Sequence, residues 1–196
     1  MKLDILVFGA HPDDVELGCG GTIIKEVQNG RKVGIIDLTR GELGTRGTAK
    51  IRDKETEKAT AIMGVSFREN MNFKDGFFKD DEEHKLALIK KIRKYRPEIV
   101  ITNALSDRHP DHPRGSQITV DACFLAGLEK IDTAQKIWRP RAIYHYIQFN
   151  NLSPDFVVDI SEYFDKKISA IKEYKSQFFD PNSKETKTII SSKEFF

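Results

Sequence analysis

An open α/β sheet, mostly parallel with strand order 3-2-1-4-5 and helices on both faces, is the Rossmann-like fold this sequence predicts. Three observations carry the prediction. Apolar or alternating runs recur at 3–9, 33–39, 67–73, 99–103 and 142–148, stretches with helical spacing separate them, and turn residues close most of those stretches. Right-handed crossovers convert such an alternation into a doubly wound sheet.

The first helix, 15–28, places Leu17, Ile23, Ile24 and Val27 on one side and stops at Asn29-Gly30. The second runs from 52 to 63 and ends at Gly64. The third, 82–95, spaces Leu86, Ile89 and Ile92 for one apolar face, with Lys85, Lys90, Lys91, Arg93 and Lys94 read as a solvated face and Pro97 just past the end. The fourth, 115–128, holds Ile118, Ala122 and Leu125. A sixth strand is expected at 156–160, leading through Ser161 as N-cap into a helix that ends near Phe178. Residues 191–196 read as a cap opening a further helix, which implies that the native chain continues past Phe196. With no linker or repeat in view, residues 1–196 are expected to form one domain.

At 196 residues, 39% hydrophobic and 32% charged, the chain has enough apolar material for one sizeable core. Its 32 basic and 30 acidic residues leave a net charge of +2, which gives no reason to expect nucleic acid or an anionic membrane as partner. No run approaches the roughly 18–20 apolar residues of a membrane span, and the N-terminus enters a strand rather than a signal peptide, so a cytoplasmic location is expected. Cys19 and Cys123 are too few for a disulfide framework and are not spaced as a zinc clamp. Both are expected as small buried thiols.

The chemistry is concentrated in two strings, Ala10-His11-Pro12-Asp13-Asp14 after the first strand and Arg108-His109-Pro110-Asp111-His112 after the fourth. Ligands of doubly wound sheets bind beyond the carboxyl ends of the strands where the order reverses, which lies between those two strands. Each proline stiffens its turn and keeps the preceding histidine out of helical geometry. His11 and Asp14, three apart at a turn entering a helix, can converge on one ion, and a histidine of the other loop completes a set of three ligands with one position open. A lone His-Pro-Asp is equally well a turn whose aspartate caps a helix. Two of them flanking one switch point argue for a site. His84 and His145 lack such company and are read as a surface and a core histidine.

Two readings from other classes compete. Gly18, Gly20 and Gly21, with Asp37 about twenty residues on, suggest a dinucleotide motif. The turn after the first strand is, however, His-Pro-Asp-Asp, whose carboxylates would repel a pyrophosphate, so the glycines are expected to let the helix approach the sheet. A non-catalytic structural metal site would be closed by four ligands and commonly rich in cysteine, unlike this set.

The run from Gly9 to Glu16, then Gly18-Cys19-Gly20-Gly21-Thr22, and His109-Pro110-Asp111-His112 downstream resemble the PIG-L or LmbE-like family of zinc-dependent N-deacetylases. Thr39 to Gly47, Ile51-Arg52 and Ser106 to Pro113 are further similar to the branch that deacetylates N-acetylglucosaminyl L-malate in bacillithiol biosynthesis. The resemblance implies one zinc ion per chain held by His11, Asp14 and His112, with Asp13 as general base toward the hydrolytic water. It implies that a protonated His109 stabilises the oxyanion, with Asp111 orienting it, and that the chain self-associates. Arg52 and Arg108 are assigned to the malate carboxylates, since a guanidinium grips a carboxylate through two hydrogen bonds. Glu42 and Asp75, in the loops after strands two and three, are expected to accept from sugar hydroxyls. A chitooligosaccharide or glycolipid is the alternative substrate.

Overall fold

The computed structural model describes residues 1–178 and 180–195. Five strands, β1 (Ile5–Gly9), β2 (Val33–Thr39), β3 (Phe67–Phe73), β4 (Ile99–Thr102) and β5 (Ala142–His145), alternate with α1 (Asp14–Gln28), α2 (Ala49–Met63), α3 (Glu82–Tyr95), α4 (Asp111–Leu125) and α5 (Phe164–Lys172). The sheet order is β3-β2-β1-β4-β5, as the alternation predicts, and every pairing is parallel. β1 pairs with β2 from Ile5 opposite Val33 to Gly9 opposite Asp37, and with β4 from Ile5 opposite Ile99.

Because side chains alternate across a strand, one apolar run feeds two cores. Ile5 and Val7 join Ile23, Ile24, Met63 and Ile171 under α1, α2 and α5, whereas Leu6 and Phe8 join Leu88, Ile92 and Ile118 under α3 and α4. Cys19 and Cys123 are buried free thiols, one in each core, and burial pushes Cys123 up to about 12. Among the described residues no helix is long and apolar enough to cross a membrane.

Several boundaries differ from those the sequence predicts. Residues 156–160 form no strand: Phe156 and Val157 are exposed, and Ile160 instead lies against Gly21 of α1, where an added Cβ would come within 2.5 Å of it. Gly18 meets the Tyr146 ring in the same way, so these glycines admit the chain that follows β5. Ser161 opens a short 3-10 turn rather than capping a helix, and α5 ends at Lys172. Beyond it Ser176 spends its N–H and hydroxyl on the two Glu55 oxygens, both at 2.7 Å, while Tyr174 and Phe178 enter the core, which holds the segment out of a helix. Among the described residues the expected further helix is a short 3-10 turn at Lys193–Phe195, and Phe196 lies outside them. α4 starts at Asp111, four residues earlier than expected. Arg93 is not on the solvated face of α3: it is buried and donates to the carbonyls of Ala126 (3.0 Å), Leu128 (2.8 Å) and Ile131 (2.6 Å) beyond α4.

Asp37 is likewise spent inside. Arg68 of β3, its side chain 5% exposed, donates to both Asp37 oxygens at 2.7 and 2.8 Å and also pairs with Glu16, whose Oε1 accepts from Tyr174 at 2.8 Å. This removes the acceptor that a nucleotide ribose would need. Removing one partner of such a buried network strands the others, so Arg68→Met is expected to cost about 3–5 kcal/mol in urea denaturation. A loss under about 1 kcal/mol would mean that water solvates Glu16 and Asp37.

Candidate active site

Two helix N-termini meet where the strand order reverses. α1 opens at the end of β1 with Asp13 as its N-cap, and α4 opens after β4 with Pro110 in that place, so the positive ends of two helix dipoles face one crevice. The β1 and β4 ends are tied together by Asn103, which is fully buried and accepts the Ala10 N–H at 3.0 Å. Asp13 has φ 110°, a left-handed conformation that short polar side chains tolerate better than others. With Pro12 before it, this backbone sends adjacent carboxylates to different partners.

Asp14 lies between two imidazoles. Its Oδ2 is 3.5 Å from His11 Nδ1 and its Oδ1 is 3.2 Å from His112 Nε2. Asn103 Nδ2 donates to Oδ2 at 3.1 Å and Gln148 Nε2 to Oδ1 at 2.8 Å. Burial alone would raise its pKa, but His112 and His11 outweigh burial and hold it well below the usual carboxylate range. The His109 ring stands edge-on to His11 at 4.5 Å and stacks on His112 at 5.1 Å, and one nitrogen from each of the three histidines lies within 4.8 Å of the others.

These residues fit a divalent ion of the zinc class. Imidazole and carboxylate are its donors, and a metal-binding histidine holds a carboxylate or carbonyl at its other ring nitrogen. His11 has Asp75 Oδ1 at 3.1 Å and Asp111 Oδ2 at 3.3 Å from Nε2. His112 has Asp107 Oδ1 at 3.2 Å from Nδ1, a buried nitrogen with no aligned hydrogen bond.

Asp13 is 5% exposed, and its Oδ2 accepts from Arg52 Nη2 at 3.3 Å. Burial pushes its carboxyl up to about 7 against the pull of Arg52, with Asp14 adding to the rise and His11 opposing it. A cation bound beside it would bring that value down.

His109 differs from the expectation in two respects. Its Nδ1 accepts the Asp111 backbone N–H at 3.3 Å, which leaves Nε2 to carry the proton of a neutral ring, and burial together with the positive His11 and His112 lowers its pKa. The Asp111 carboxylate does not orient it. That group is fully buried and takes His11 Nε2, the Gly76 N–H at 2.8 Å and Arg114. What reaches His109 is a backbone donor that the first turn of α4 leaves unpaired.

The other expected binding residues separate. Arg108 is exposed, with its guanidinium over the Phe149 ring at 4.4 Å. Arg52 is 6% exposed, faces Asp13, and lies so close to Gly41, at φ 61°, that a Cβ there would sit 1.7 Å from Nη1. Arg52 is thus engaged by Asp13, whereas Arg108 stands at the surface. Asp75 is 4% exposed and uses both oxygens internally, Oδ1 on His11 and Oδ2 on the Leu43 N–H at 2.9 Å, so it has none turned to a sugar. Glu42 is exposed, but its Oε1 accepts the Asp75 N–H at 2.8 Å. His84 is half-buried on Phe73 beside Asp81, and His145 is half-buried between Ser116 and Asn103. Sequence reasoning missed Asn103, Gln148 and Asp107. Only Asn103 left a signal, as a polar residue closing an apolar strand at the switch point.

Residues 6–123 match the PIG-L family, described as GlcNAc-PI de-N-acetylase. Diacetylchitobiose deacetylase of Thermococcus kodakarensis is 31% identical over 186 residues, covering 89% of this chain and 70% of that one. Probable N-acetyl-alpha-D-glucosaminyl L-malate deacetylase 2 of Bacillus anthracis is 28% identical over 193 residues, with 89% and 81% covered. Among solved structures, the conserved protein TT1542 from Thermus thermophilus superposes with a TM-score of 0.87 at 42% identity, covering 90% of this chain and 80% of that one.

Proposed function

Because this chain belongs to the PIG-L family of de-N-acetylases, we propose that it hydrolyses the acetamide of an N-acetylglucosaminyl conjugate, N-acetylglucosaminyl L-malate foremost, with one zinc ion per chain. The observation that carries the reading is the Asp14 carboxylate set between His11 and His112, side chains brought from two distant loops. We assign these three as the zinc ligands. Bound there, the ion would polarise the acetyl carbonyl and make water a better nucleophile near neutral pH.

The remaining steps belong to the protein. Asp13 accepts a proton from the attacking water and, as the C–N bond breaks, passes it to the departing amine, giving acetate and a free amino sugar. Asp13 is held for this by Arg52. His109 donates its Nε2–H to the carbonyl oxygen as negative charge develops there. Being neutral, it does so without adding a further positive charge beside the ligands. A malate carboxylate would meet Arg108 at the rim.

A larger apolar conjugate is the second reading, favoured by Leu43, Phe77, Leu105 and Phe149, exposed one each in the loops after β2, β3, β4 and β5. Acetate release from N-acetylglucosaminyl malate and from N-acetylglucosamine separates the cases. The metal-loaded protein should act faster on the malate conjugate, and a chelator should stop it. Turnover undiminished by chelation overturns the metal-dependent reading, and no turnover on either sugar overturns N-acetylglucosaminyl malate as substrate in favour of the larger conjugate. Arg108→Ala should raise KM about 10-fold or more for the malate conjugate alone, the weight of one charged hydrogen bond. Equal losses on both sugars would exclude carboxylate recognition by Arg108.

A further inference from the structure

We infer that Asp75 is a positioning residue that sets His11 for metal binding and ties the loop after β2 to that histidine; the inference rests on the zinc reading above. His11 turns Nδ1 toward Asp14 and Nε2 toward Asp75 and Asp111. An imidazole offers the Nδ1 lone pair to a cation only while its remaining proton stays on Nε2, and an acceptor at Nε2 keeps it there. Asp75 Oδ1, at 3.1 Å, is the nearer of the two acceptors. Its other oxygen holds the Leu43 N–H at 2.9 Å, and its own N–H is held by Glu42 Oε1 at 2.8 Å. One carboxylate thus spans the metal ligand and a loop whose Leu43 side chain is exposed at the crevice mouth.

An asparagine cannot reproduce this. Its single carbonyl oxygen serves either His11 or Leu43, and its NH2 group then faces the other donor. If the NH2 faces His11 Nε2, two donors oppose each other there, only the more distant Asp111 Oδ2 at 3.3 Å still favours the proton on Nε2, and the Nδ1 lone pair is less available to a cation. If it faces Leu43, the loop is released.

Zinc affinity, measured by competition with a chromophoric chelator, tests the inference without turnover, and the visible spectrum of the cobalt-loaded protein reports the ligand field. Asp75→Asn should bind zinc about 10–100-fold more weakly, as expected for loss of an outer carboxylate, with an altered cobalt spectrum. Glu42→Ala removes an exposed side chain that holds the Asp75 N–H and should keep the fold, so it serves if Asp75→Asn does not fold. It should weaken zinc in the same direction but less. A purely structural role of Asp75 would lower the thermal midpoint and leave zinc affinity and the cobalt spectrum unchanged. If wild type binds zinc tightly and both variants match it, the inference is wrong and the deacetylase reading stands. If wild type binds no zinc, the deacetylase reading falls, and the inference with it.

Discussion

Asp13→Asn is expected to lower kcat by about 10²–10⁴-fold, the range for loss of a general acid–base group, while the protein keeps its metal. The expectation follows from the division of labour between neighbours. Asp14 carries the contacts to His11 and His112, and Asp13 faces Arg52 without touching either ring. Removing the Asp13 charge therefore leaves the ligand set in place. Asparagine is the cleaner substitution because it tolerates the left-handed backbone, φ 110°, that position 13 requires. Asp13→Ala tests the same role but adds backbone strain of about 1–3 kcal/mol, so a loss of activity in it must be checked against a loss of folded protein. Zinc content and acetate release on the same sample decide the matter. Turnover comparable to wild type, with zinc bound, would end the assignment of Asp13 as base.

The contrast between Asp13 and Asp14 also marks how far the sequence reaches. Hydrophobic periodicity and chain reversal at Gly30 and Gly64 locate the strands, since β1 and β2, buried on both faces, read as continuous apolar runs, and the doubly wound arrangement supplies the order. The switch-point rule then brings His11 to His112. What periodicity cannot deliver is a segment whose conformation is set from outside itself. Residues 156–160 look like a strand, yet the β5 edge is not extended and Ile160 packs on Gly21 instead. Beyond the end of α5 a Glu55 side chain captures the Ser176 N–H, a contact between distant parts of the chain that holds this segment out of a helix. The same holds within the site. From the sequence, Asp75 and Arg52 are assigned to the substrate and Asp111 to His109, but which partner each one meets depends on loops that close in three dimensions. Asp75 and Asp111 serve His11 and Arg52 serves Asp13, rather than the substrate or His109.

Replacing His109 by alanine is expected to lower kcat by about 10²–10³-fold with little change in KM and with zinc retained, the cost of deleting one donor to a developing oxyanion. The ground-state carbonyl needs that hydrogen bond less than the tetrahedral species does, so the loss falls on the chemical step. Glutamine separates a neutral donor from a charged one. With Nδ1 occupied by the Asp111 backbone N–H and burial lowering its pKa, the ring acts as a neutral N–H donor. A glutamine amide also supplies a neutral N–H, so His109→Gln should recover part of the rate that His109→Ala loses. Were imidazolium the active form, glutamine would be no better than alanine, and the rate of wild type would fall with rising pH through the His109 titration. Equal kcat in the two variants, both zinc-loaded and folded, would therefore count against the neutral-donor assignment.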